Sequence, residues 1–401
     1  MKIVSINSLN TGSTGRIMRQ IADQAKLRGH DVVLCYPHSR TNEINHQKSA
    51  IYIVNRYIRR IGALLDFIGL YRFAFGISTL LFLLKVDKLR PDVVHLHNLH
   101  GSYINIYLLF KYLKKRNITV FWTLHDCWAF TGHCGHYITI GCTKWTSGCH
   151  SCPKYMDYPS SLFDDSRGRY RYKKSLFTDL PNLTLVPVSK WLASQCSQSF
   201  LKDLPLKPIS NGIDIRTFSY CKSDVKIRYG IQGKFVAIGL ATSWGEDKGF
   251  SDYLELASLL SDDEVILMVG LTEELKSKLP SNIIGISRTE SIEELVSLYS
   301  SVDVLLSLSK AETFGLTIIE AMSCGTPAIA YDNTAQKELI LPETGFLVKT
   351  GAIEDVYQCM KTVRSNGRDF YAQNCRKYVE TKFSDSLQYS KYVDLYEDSD
   401  N

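Results

Sequence analysis

Residues 309–330 read SKAETFGLTIIEAMSCGTPAIA, and this stretch does most to define the fold. An apolar run ends near Leu308, and the pattern that follows predicts a helix that starts around Phe314 and stops at Gly325. Glu312 is therefore expected in the loop after a buried strand. In open parallel sheets this is the position where ligands bind.

The start of this helix predicts an anion site. Four consecutive residues would offer backbone N–H groups at a helix N-terminus: Thr313, Phe314, Gly315 and Leu316. Glu320 follows about 7 Å along the helix at about 1.5 Å per residue, close enough for a carboxylate to reach the sugar hydroxyls of a bound nucleotide. A single glutamate in such a place is usually a surface residue. The combination of strand, glutamate, glycine, helix and second glutamate favours a ligand site.

Strand and helix patterns alternate on both sides of this stretch, which predicts an α/β fold with parallel sheets. The strand candidates of the first half are KIVSIN (2–7), DVVLCY (31–36), PDVVHLH (91–97) and ITVFWTLH (118–125). Those of the second half are KFVAIGLA (234–241), EVILMVG (264–270), SNIIGIS (281–287), VDVLLSLS (302–309) and TPAIAY (326–331). The helix candidates are 16–28, 104–116, 250–260, 291–301 and 373–396. In the fourth of these, Ser291 and Glu294 form a capping-box pattern.

The length of 401 residues predicts more than one domain. Pro205, Pro208 and the Asn211–Gly212 pair interrupt regular structure between the two halves. We therefore expect an N-terminal domain over 1–207 with a cysteine-rich insertion at 127–153, and a second domain over 208–372. A C-terminal helix and tail over 373–401 would pack back on the first domain.

Composition excludes several classes of protein. A hydrophobic content of 45% and a charged content of 22% exclude a disordered chain. The net charge of +6 permits contact with phosphates or an acidic membrane but does not require nucleic acid. The first residues lack the pattern of a secretion signal, which predicts a cytoplasmic protein whose eleven cysteines are reduced.

Residues 56–84 predict contact with a membrane surface. The apolar run 68–84 is interrupted by Arg72 and is barely long enough to cross a bilayer, so a transmembrane helix is not expected. Upstream, apolar residues recur at helical spacing, away from three arginines: Tyr57, Ile58, Ile61, Leu64 and Leu65 against Arg56, Arg59 and Arg60. This pattern is typical of a basic amphipathic helix on a membrane. The alternative is a pair of ordinary helices packed in a core.

Several motifs together resemble a known family. Glu312 and Glu320, with seven residues between them, resemble the paired glutamates of glycosyltransferase family 4. NGID (211–214), GEDKGF (245–250) and TLHD (123–126) resemble its interdomain turn, its phosphate-binding loop and its N-domain active-site strand end. The resemblance covers nearly the whole chain. It implies the GT-B fold, in which two Rossmann-like domains face each other across a cleft, and a retaining mechanism.

The resemblance also implies roles for individual residues. Glu312 would contact the transferred sugar, Glu320 the ribose, Lys248 the diphosphate, and His125 the sugar near the reaction centre. The glycine-rich loop NTGSTGR (10–16) would bring Gly12 and Gly15 to the donor. The residues expected on the acceptor side are His97, Asn98 and Asp126.

One position departs from the family pattern. The family usually carries an arginine five residues before the loop lysine, and here that position is Ser243, next to Trp244. Either Lys248 acts alone or another cation replaces the arginine. Arg288, in the loop after a strand of the second half, is the candidate replacement.

The predicted function is a retaining transfer of a sugar from a nucleotide sugar, with no metal needed for the chemistry. The acceptor would be lipid-linked or a growing bacterial surface polysaccharide such as capsule, exopolysaccharide or lipopolysaccharide, at the inner face of the cytoplasmic membrane. An alternative within the same fold is a nucleotide-sugar hydrolase or epimerase. An alternative from another class is a zinc-dependent nucleic-acid-binding protein.

The last alternative starts from HDCWAFTGHCGHYITIGCTKWTSGCHSCP (125–153), which holds five cysteines. Cys149 and Cys152 form a CxxC pair, preceded by Cys134 and Cys142. These four could build a closed tetrahedral zinc site, which would be structural because no coordination position stays open for chemistry. The other interpretation is a set of reduced, packed cysteines. Only Lys144 and Lys154 add positive charge around them, which argues against a nucleic-acid interface.

Overall fold

The computed structural model describes residues 1–43 and 49–399. The chain divides into two compact units. The first unit comprises Met1–Ser210 and Tyr389–Asn401, and the second comprises Asn211–Gln388. The expected boundary lay after residue 207, with a separate segment from residue 373. The structure divides the chain three residues later and assigns residues 373–388 to the second unit.

The first unit contains a parallel six-stranded sheet in the order β3-β2-β1-β4-β5-β6. Its strands are β1 Lys2–Ile6, β2 Asp31–Tyr36, β3 Ile51–Tyr52, β4 Val93–Leu96, β5 Thr119–Leu124 and β6 Leu183–Pro187. Its helices are α1 Gly12–Leu27, α2 Arg40–Glu43, α3 Arg56–Phe67, α4 Gly76–Leu89, α5 Ile106–Arg116, α6 Ser166–Phe177 and α7 Lys190–Ser197. The cysteine-rich stretch adds three single-turn 3₁₀ helices: Trp128–Phe130, Ile138–Ile140 and Lys144–Thr146.

The second unit repeats this plan, with a parallel sheet in the order β12-β11-β10-β7-β8-β9. Its strands are β7 Phe235–Leu240, β8 Glu264–Val269, β9 Ile283–Ile286, β10 Val304–Ser307, β11 Ala328–Tyr331 and β12 Gly345–Val348. The helices from here to the C-terminus are α8 Val225–Arg228, α9 Phe250–Ala257, α10 Glu273–Lys276, α11 Ile292–Ser301, α12 Leu316–Ser323, α13 Ile353–Asn366, α14 Arg368–Lys382 and α15 Asp385–Asp398. Single 3₁₀ turns cover Glu246–Lys248 and Gln336–Glu338.

Both sheets have the strand order of a Rossmann fold, because six strands numbered within each unit run 3-2-1-4-5-6. The predicted α/β fold with parallel sheets is confirmed. In this order the chain changes direction across the sheet between the first and fourth strands. These switch points lie between β1 and β4 in the first unit and between β7 and β10 in the second.

The C-terminal helical stretch differs from its prediction. The sequence predicts one helix over 373–396, and the structure has two, α14 and α15. The interruption has a tertiary cause. Ile213 N–H donates to Phe383 O at 2.7 Å, and Asp385 N–H donates to Ile213 O at 2.9 Å, so the helix opens to pair with another segment.

The α3–α4 region keeps its apolar side chains on the surface. Ile61 is 63% exposed and Leu64 is 60% exposed, while Gly62 is the buried residue of α3. The exposed large apolar side chains of this region are Tyr57, Ile58, Ile61, Leu64, Leu70, Phe73, Ile77, Leu80, Leu81 and Leu84. The alternative of core helices therefore does not hold for α3, whereas α4 packs one face in the core through Phe82, Leu83 and Val86. Among the residues described, no helix has the length and apolar character needed to span a membrane.

Candidate active site

Polar clusters follow the strands on both sides of each switch point. In the second unit, the turn that contains Lys248 follows β7 and the Glu312 loop follows β10. In the first unit, the glycine-rich loop follows β1 and His97 follows β4. Crevices at the carboxyl ends of switch-point strands are where open α/β sheets bind ligands.

Lys248 and Glu312 form an ion pair in the second unit. Lys248 Nζ lies 2.5 Å from Glu312 Oε1 and 3.4 Å from Ser309 Oγ. Burial by itself lowers the pKa of Lys248, but the Glu312 carboxylate outweighs burial and the pKa is raised overall. The ammonium therefore stays charged at neutral pH. Two of its three N–H donors reach Glu312 and Ser309, and the third can bind an anion.

Gly249 allows this pair to form. Its φ is 72°, a left-handed conformation, and a Cβ added there would lie 2.3 Å from Leu308 O. Only glycine lets the loop after β7 come this close to the end of β10. The close approach places Lys248 beside Glu312.

A hydrogen-bond network that the sequence analysis did not identify holds the Glu312 loop. Glu312 N–H donates to Thr334 Oγ1 at 3.0 Å, and Ala335 N–H donates to Glu312 O at 3.2 Å. Gln336 is fully buried, and its Nε2 donates to Ser309 O at 2.8 Å. These residues follow β11, the next strand of the sheet. The available signal was a polar run directly after a buried strand.

The predicted anion site lies at the start of α12. Gly315 precedes the helix with a φ of 105°, and the helix begins at Leu316, two residues after the predicted start. The first N–H groups of a helix have no helical partners, which makes this end suited to a phosphate. Thr313 and Phe314 belong to the preceding turn, and the Phe314 ring is buried at 6.0 Å from the Phe383 ring.

Glu320 lies farther along α12 and is buried. It is 5% exposed, and its Oε2 accepts a hydrogen bond from Tyr299 OH at 3.1 Å. Tyr299 belongs to α11, so Glu320 also ties two helices together. The predicted contact with a ribose stays a prediction.

Arg288 lies apart from the Lys248 turn in the order of the sheet. It follows the edge strand β9, which is two strands away from β7 and therefore about 10 Å across the sheet at a spacing of about 4.8 Å. Its side chain is exposed. Near Ser243, Trp244 turns inward and donates from Nε1 to Val269 O at 2.8 Å. The proposed substitution of Arg288 for the missing arginine stays a prediction.

Three histidines cluster at the carboxyl ends of β4 and β5 in the first unit: His95 within β4, and His97 and His125 directly after the two strands. His97 Nδ1 lies 3.0 Å from His125 Nε2, and the His95 and His97 rings lie 4.2 Å apart. Burial lowers the pKa of His125 to about 4 and that of His95 to about 3, and burial also lowers the pKa of His97. All three imidazoles are therefore neutral at pH 7. His97 Nε2 is buried without a hydrogen-bond partner among the residues described.

Asp126 pairs with a histidine that the sequence analysis did not place in the site. His100 Nε2 lies 2.7 Å from Asp126 Oδ2, and His100 Nδ1 lies 3.2 Å from Tyr158 OH. Burial would raise the pKa of Asp126, but the charge and hydrogen bond of His100 lower it well below its usual range. The Trp128 N–H also donates to Asp126 Oδ1, at 2.9 Å.

The glycine-rich loop after β1 lies next to this cluster. Asn98 N–H donates to Asn7 Oδ1 at 3.2 Å, which joins the ends of β4 and β1. A Cβ at Gly15 would lie 2.3 Å from the backbone carbon of Asn10, so α1 packs directly on the loop. Gly12 has a φ of 66°, and space is open around it. These two glycines have different roles, one in packing and one in backbone conformation.

The four cysteines of the predicted zinc site are neighbours. The neighbouring Cys152 thiol, together with burial, raises the pKa of Cys134. Burial raises the pKa of Cys149, and Cys142 and Cys152 add to this effect. Gly132 N–H donates to Cys149 Sγ at 3.1 Å. Among residues 1–43 and 49–399, no group of three or more His, Cys, Asp or Glu side chains lies close enough together to hold a metal ion. All eleven cysteines are free thiols.

The two sheets define the GT-B class of fold, and solved structures agree. Sucrose-phosphate synthase from Thermosynechococcus elongatus superposes with a TM-score of 0.72 at 15% identity, over 99% of this chain and 98% of that one. The Anabaena protein Alr3699/HepE, in complex with UDP and glucose, gives 0.70 at 15% identity over 99% and 100%. At these identities the similarity shows the fold alone. Both belong to the GT-B glycosyltransferases.

The chain belongs to glycosyltransferase family 4. The model "Glycosyltransferase Family 4" matches residues 14–217, half of the chain, and "Glycosyl transferases group 1" matches residues 231–381. The family resemblance inferred from the motifs is therefore confirmed.

Two relatives come from polysaccharide biosynthesis. The putative colanic acid biosynthesis glycosyl transferase WcaC of Escherichia coli (strain K12) is 26% identical over 68% of this chain and 66% of its own length. The capsular polysaccharide biosynthesis glycosyltransferase CapM of Staphylococcus aureus is 23% identical over 47% and 53%. The chain thus spans between about half and two thirds of the length of these relatives.

Proposed function

We propose that this protein is a retaining glycosyltransferase that moves a sugar from a nucleotide-sugar donor to a lipid-linked or polysaccharide acceptor in bacterial surface polysaccharide biosynthesis. The observation that carries the proposal is the Lys248–Glu312 pair at a switch point, next to the N-terminus of α12. Family membership and the two polysaccharide relatives support it.

The second unit would bind the donor. The third N–H donor of Lys248 and the free N–H groups of α12 would hold the diphosphate and stabilise its charge as it leaves. Glu312 would accept hydrogen bonds from hydroxyls of the transferred sugar, and Glu320 from the ribose. Positive charge from a lysine and a helix end lets the transfer proceed without a catalytic metal ion.

The first unit would bind the acceptor. The bond from the sugar C1 to the phosphate oxygen breaks while a bond from C1 to the acceptor oxygen forms on the same face. The leaving phosphate takes the acceptor proton, so no separate base is required. His125, which is neutral because burial lowers its pKa to about 4, would hydrogen-bond the sugar. His97, Asn98 and Asp126 would orient the acceptor.

The test is turnover of a panel of nucleotide sugars by the purified protein, with and without oligosaccharide or lipid-linked acceptors. We expect slow donor hydrolysis alone and transfer with retained anomeric configuration when an acceptor is present. Glu312→Gln should abolish both reactions. If the donor is hydrolysed or epimerised and no sugar is transferred to any acceptor, the alternative enzyme classes would be supported instead.

The structure argues against the nucleic-acid alternative. Lys144 Nζ donates to the backbone oxygens of His150 and Ser151 at 3.1 and 3.2 Å, and Lys154 pairs with Asp157 at 3.2 Å. The two lysines near the cysteines are therefore used within the stretch itself. These contacts reduce the number of N–H donors that either lysine offers to a phosphate backbone.

We also propose that the α3–α4 region binds the inner face of the cytoplasmic membrane. Its exposed apolar side chains and the nearby arginines suit an interface with anionic lipids. Sedimentation with anionic phospholipid vesicles tests this. Ile61→Asp with Leu64→Asp should abolish binding, whereas Ile227→Asp, at an exposed apolar residue of α8, should not. Equal binding of all three proteins would overturn the proposal.

Structural zinc bound by Cys134, Cys142, Cys149 and Cys152 remains a proposal. The mutual effects of these thiols on their pKa values support it, because thiols must be neighbours to share a tetrahedral zinc ion. Elemental analysis of protein purified without chelators should find one zinc per chain. Cys149→Ser with Cys152→Ser should lose it, and Cys221→Ser in the second unit should keep it. Zinc-free wild-type protein would overturn the proposal.

A further inference from the structure

A cavity of about 710 Å³ lies in the first unit, outside the switch-point clusters. Side chains of α2 and α3 and the segments 101–102 and 158–160 line it. Four arginines contribute to its wall: Arg40, Arg56, Arg59 and Arg60. The volume falls in the range of about 300–1,000 Å³ that is typical of small-molecule sites.

Within the described part of the chain, no carboxylate lies within ion-pair distance of these arginines. The cavity lining contains no aspartate or glutamate, and none of the four arginines forms an ion pair. The Arg59 guanidinium donates to Gly101 O at 3.2 Å, and burial lowers its pKa. The Arg56 guanidinium donates to Tyr57 OH at 3.3 Å, and the more distant charge of Glu43, which lies 2.5 Å from His38, adds to this.

Two other arginines of this unit, by contrast, form ion pairs. Arg116 pairs with Asp87 at 2.7 Å, and Arg169 pairs with Asp66 at 2.9 Å. An arginine cluster without carboxylates is electrostatically unfavourable by itself, because like charges repel. A multiply charged anion relieves this repulsion, and planar guanidinium groups bind phosphate oxygens in pairs.

The helix α3 separates the cavity from an apolar surface. Positions 56, 59, 60, 63 and 67 line the cavity and share one helix face at 3.6 residues per turn. Tyr57, Ile58, Ile61 and Leu64 lie on the other face and are exposed. A ligand that fits both faces has an anionic head and an apolar chain.

The cavity also adjoins the predicted acceptor side of the site. Tyr158 is one of its lining residues, and the Tyr158 OH lies 3.2 Å from His100 Nδ1. His100 in turn binds Asp126 at 2.7 Å. Two hydrogen bonds therefore connect the cavity wall to Asp126.

We propose that this cavity binds the diphosphate of a lipid-diphosphate-linked sugar acceptor. Arg56 and Arg59 bind the diphosphate with support from Arg40 and Arg60, and the lipid chain follows the apolar face of α3. A sugar attached to that diphosphate lies next to Tyr158 and the Asp126 cluster. This inference rests on the proposed function and names the chemical class of its acceptor.

Isothermal titration tests the site with three probes: farnesyl diphosphate, inorganic pyrophosphate and farnesol. We expect farnesyl diphosphate to bind most tightly, because it has both the charged head and the apolar chain. Arg56→Gln with Arg59→Gln should weaken it at least about tenfold, as expected when charged hydrogen bonds are lost. Arg171→Gln, at an exposed position of α6, should leave the affinity unchanged.

Arg60→Gln provides a second site variant, since Arg60 is exposed and its loss should not affect folding. Lys248→Met should leave farnesyl diphosphate binding unchanged and weaken donor binding. Unchanged affinity in the arginine variants, or loss of affinity in Lys248→Met, would overturn the cavity as the site. Pyrophosphate that binds as tightly as farnesyl diphosphate would overturn the lipid-linked ligand.

The controls separate this inference from the proposed function. Suppose that the wild-type protein hydrolyses a nucleotide sugar but the arginine variants bind farnesyl diphosphate with unchanged affinity. Only the acceptor inference then fails. If no nucleotide sugar binds or reacts, the proposed function itself fails.

Discussion

Lys248 and Glu312 depend on each other because both are only partly accessible to water. Their side chains are 28% and 24% exposed. If one partner is removed, the other keeps its charge in a place with reduced solvation. The pair therefore has a structural role as well as the proposed chemical one.

Lys248→Met should lower kcat/KM for the donor by about 10²–10³, the usual effect of removing one group that stabilises charge in a transition state. Steady-state kinetics with the best donor of the panel would measure this. Lys361→Met on α13 is the control, since that lysine is exposed and lies over the Tyr357 ring, away from β7 and β10 in sequence. Comparable losses in both variants would show that the effect is not local.

His95 links the pH of the solution to the stability of the first unit. It is 1% exposed, its Nε2 lies 2.8 Å from Thr123 Oγ1, and its Nδ1 lies 2.7 Å from Tyr396 OH. Burial holds its pKa at about 3, below the value of 6.5 for an exposed histidine. The unfolded chain therefore binds a proton more readily than the folded one.

The free energy of unfolding should consequently fall as the pH drops below 6.5. Between pH 7 and pH 5 the loss from His95 alone should be about 2 kcal/mol. Urea unfolding at several pH values would measure the slope, and His95→Gln should reduce it. An equal slope in the two proteins would contradict this assignment.

At the scale of elements, local sequence patterns located most strands and helices but not their interruptions. Ser291 caps α11 as expected, since its side chain accepts from Glu294 N–H at 3.1 Å. The break between α14 and α15 could not be predicted, because it arises from pairing with Ile213, far away in the sequence. The exposure of α3 could not be predicted either. Helical periodicity shows which residues share a face, but tertiary contacts decide whether that face is buried.

The contact between α1 and the loop after β1 gives a test at this scale. Gly15→Ala should lower the free energy of unfolding by about 1–3 kcal/mol, because its Cβ would overlap the Asn10 backbone. Gly76→Ala, at the start of α4, is the matched control. Its Cβ would meet no atom within 4 Å, so stability should stay equal or rise slightly. Thermal unfolding of both variants distinguishes these outcomes.

At the scale of the whole molecule, the sequence correctly placed several candidate site residues directly after strands, and their roles stay predictions. Lys248, Glu312 and His125 all follow strands that are visible as apolar runs. Gln336, Thr334 and His100 were missed, because their roles depend on which strands become neighbours. The arginine cavity was missed for the same reason, since its wall combines segments that lie over a hundred residues apart.

The C-terminal helix completes the core of the first unit, although it follows the second unit in sequence. Tyr396 is 1% exposed and binds His95. Tyr396→Ala should cost about 3–5 kcal/mol, the usual loss for a large buried aromatic side chain. Asp398→Ala, at an exposed position of the same helix, should have little effect.

Calorimetry and limited proteolysis would localise that loss. We expect the first unit of the Tyr396→Ala variant to melt earlier and to be cleaved first, while the second unit keeps its transition. If only the transition of the second unit shifted, α15 would stabilise the second unit, which would contradict its assignment to the core of the first unit.

The contact between His95 and Tyr396 also has a consequence for synthesis on the ribosome. The two residues are 301 positions apart, so β4 emerges long before the helix that covers it. Domains usually fold in order as the chain is made, at about 5–20 residues per second. At that rate His95 is made roughly 15–60 seconds before its partner Tyr396, so the core of the first unit stays incomplete during this time. We therefore expect the second unit to finish folding before the first, because residues 389–401 of the first unit are made last.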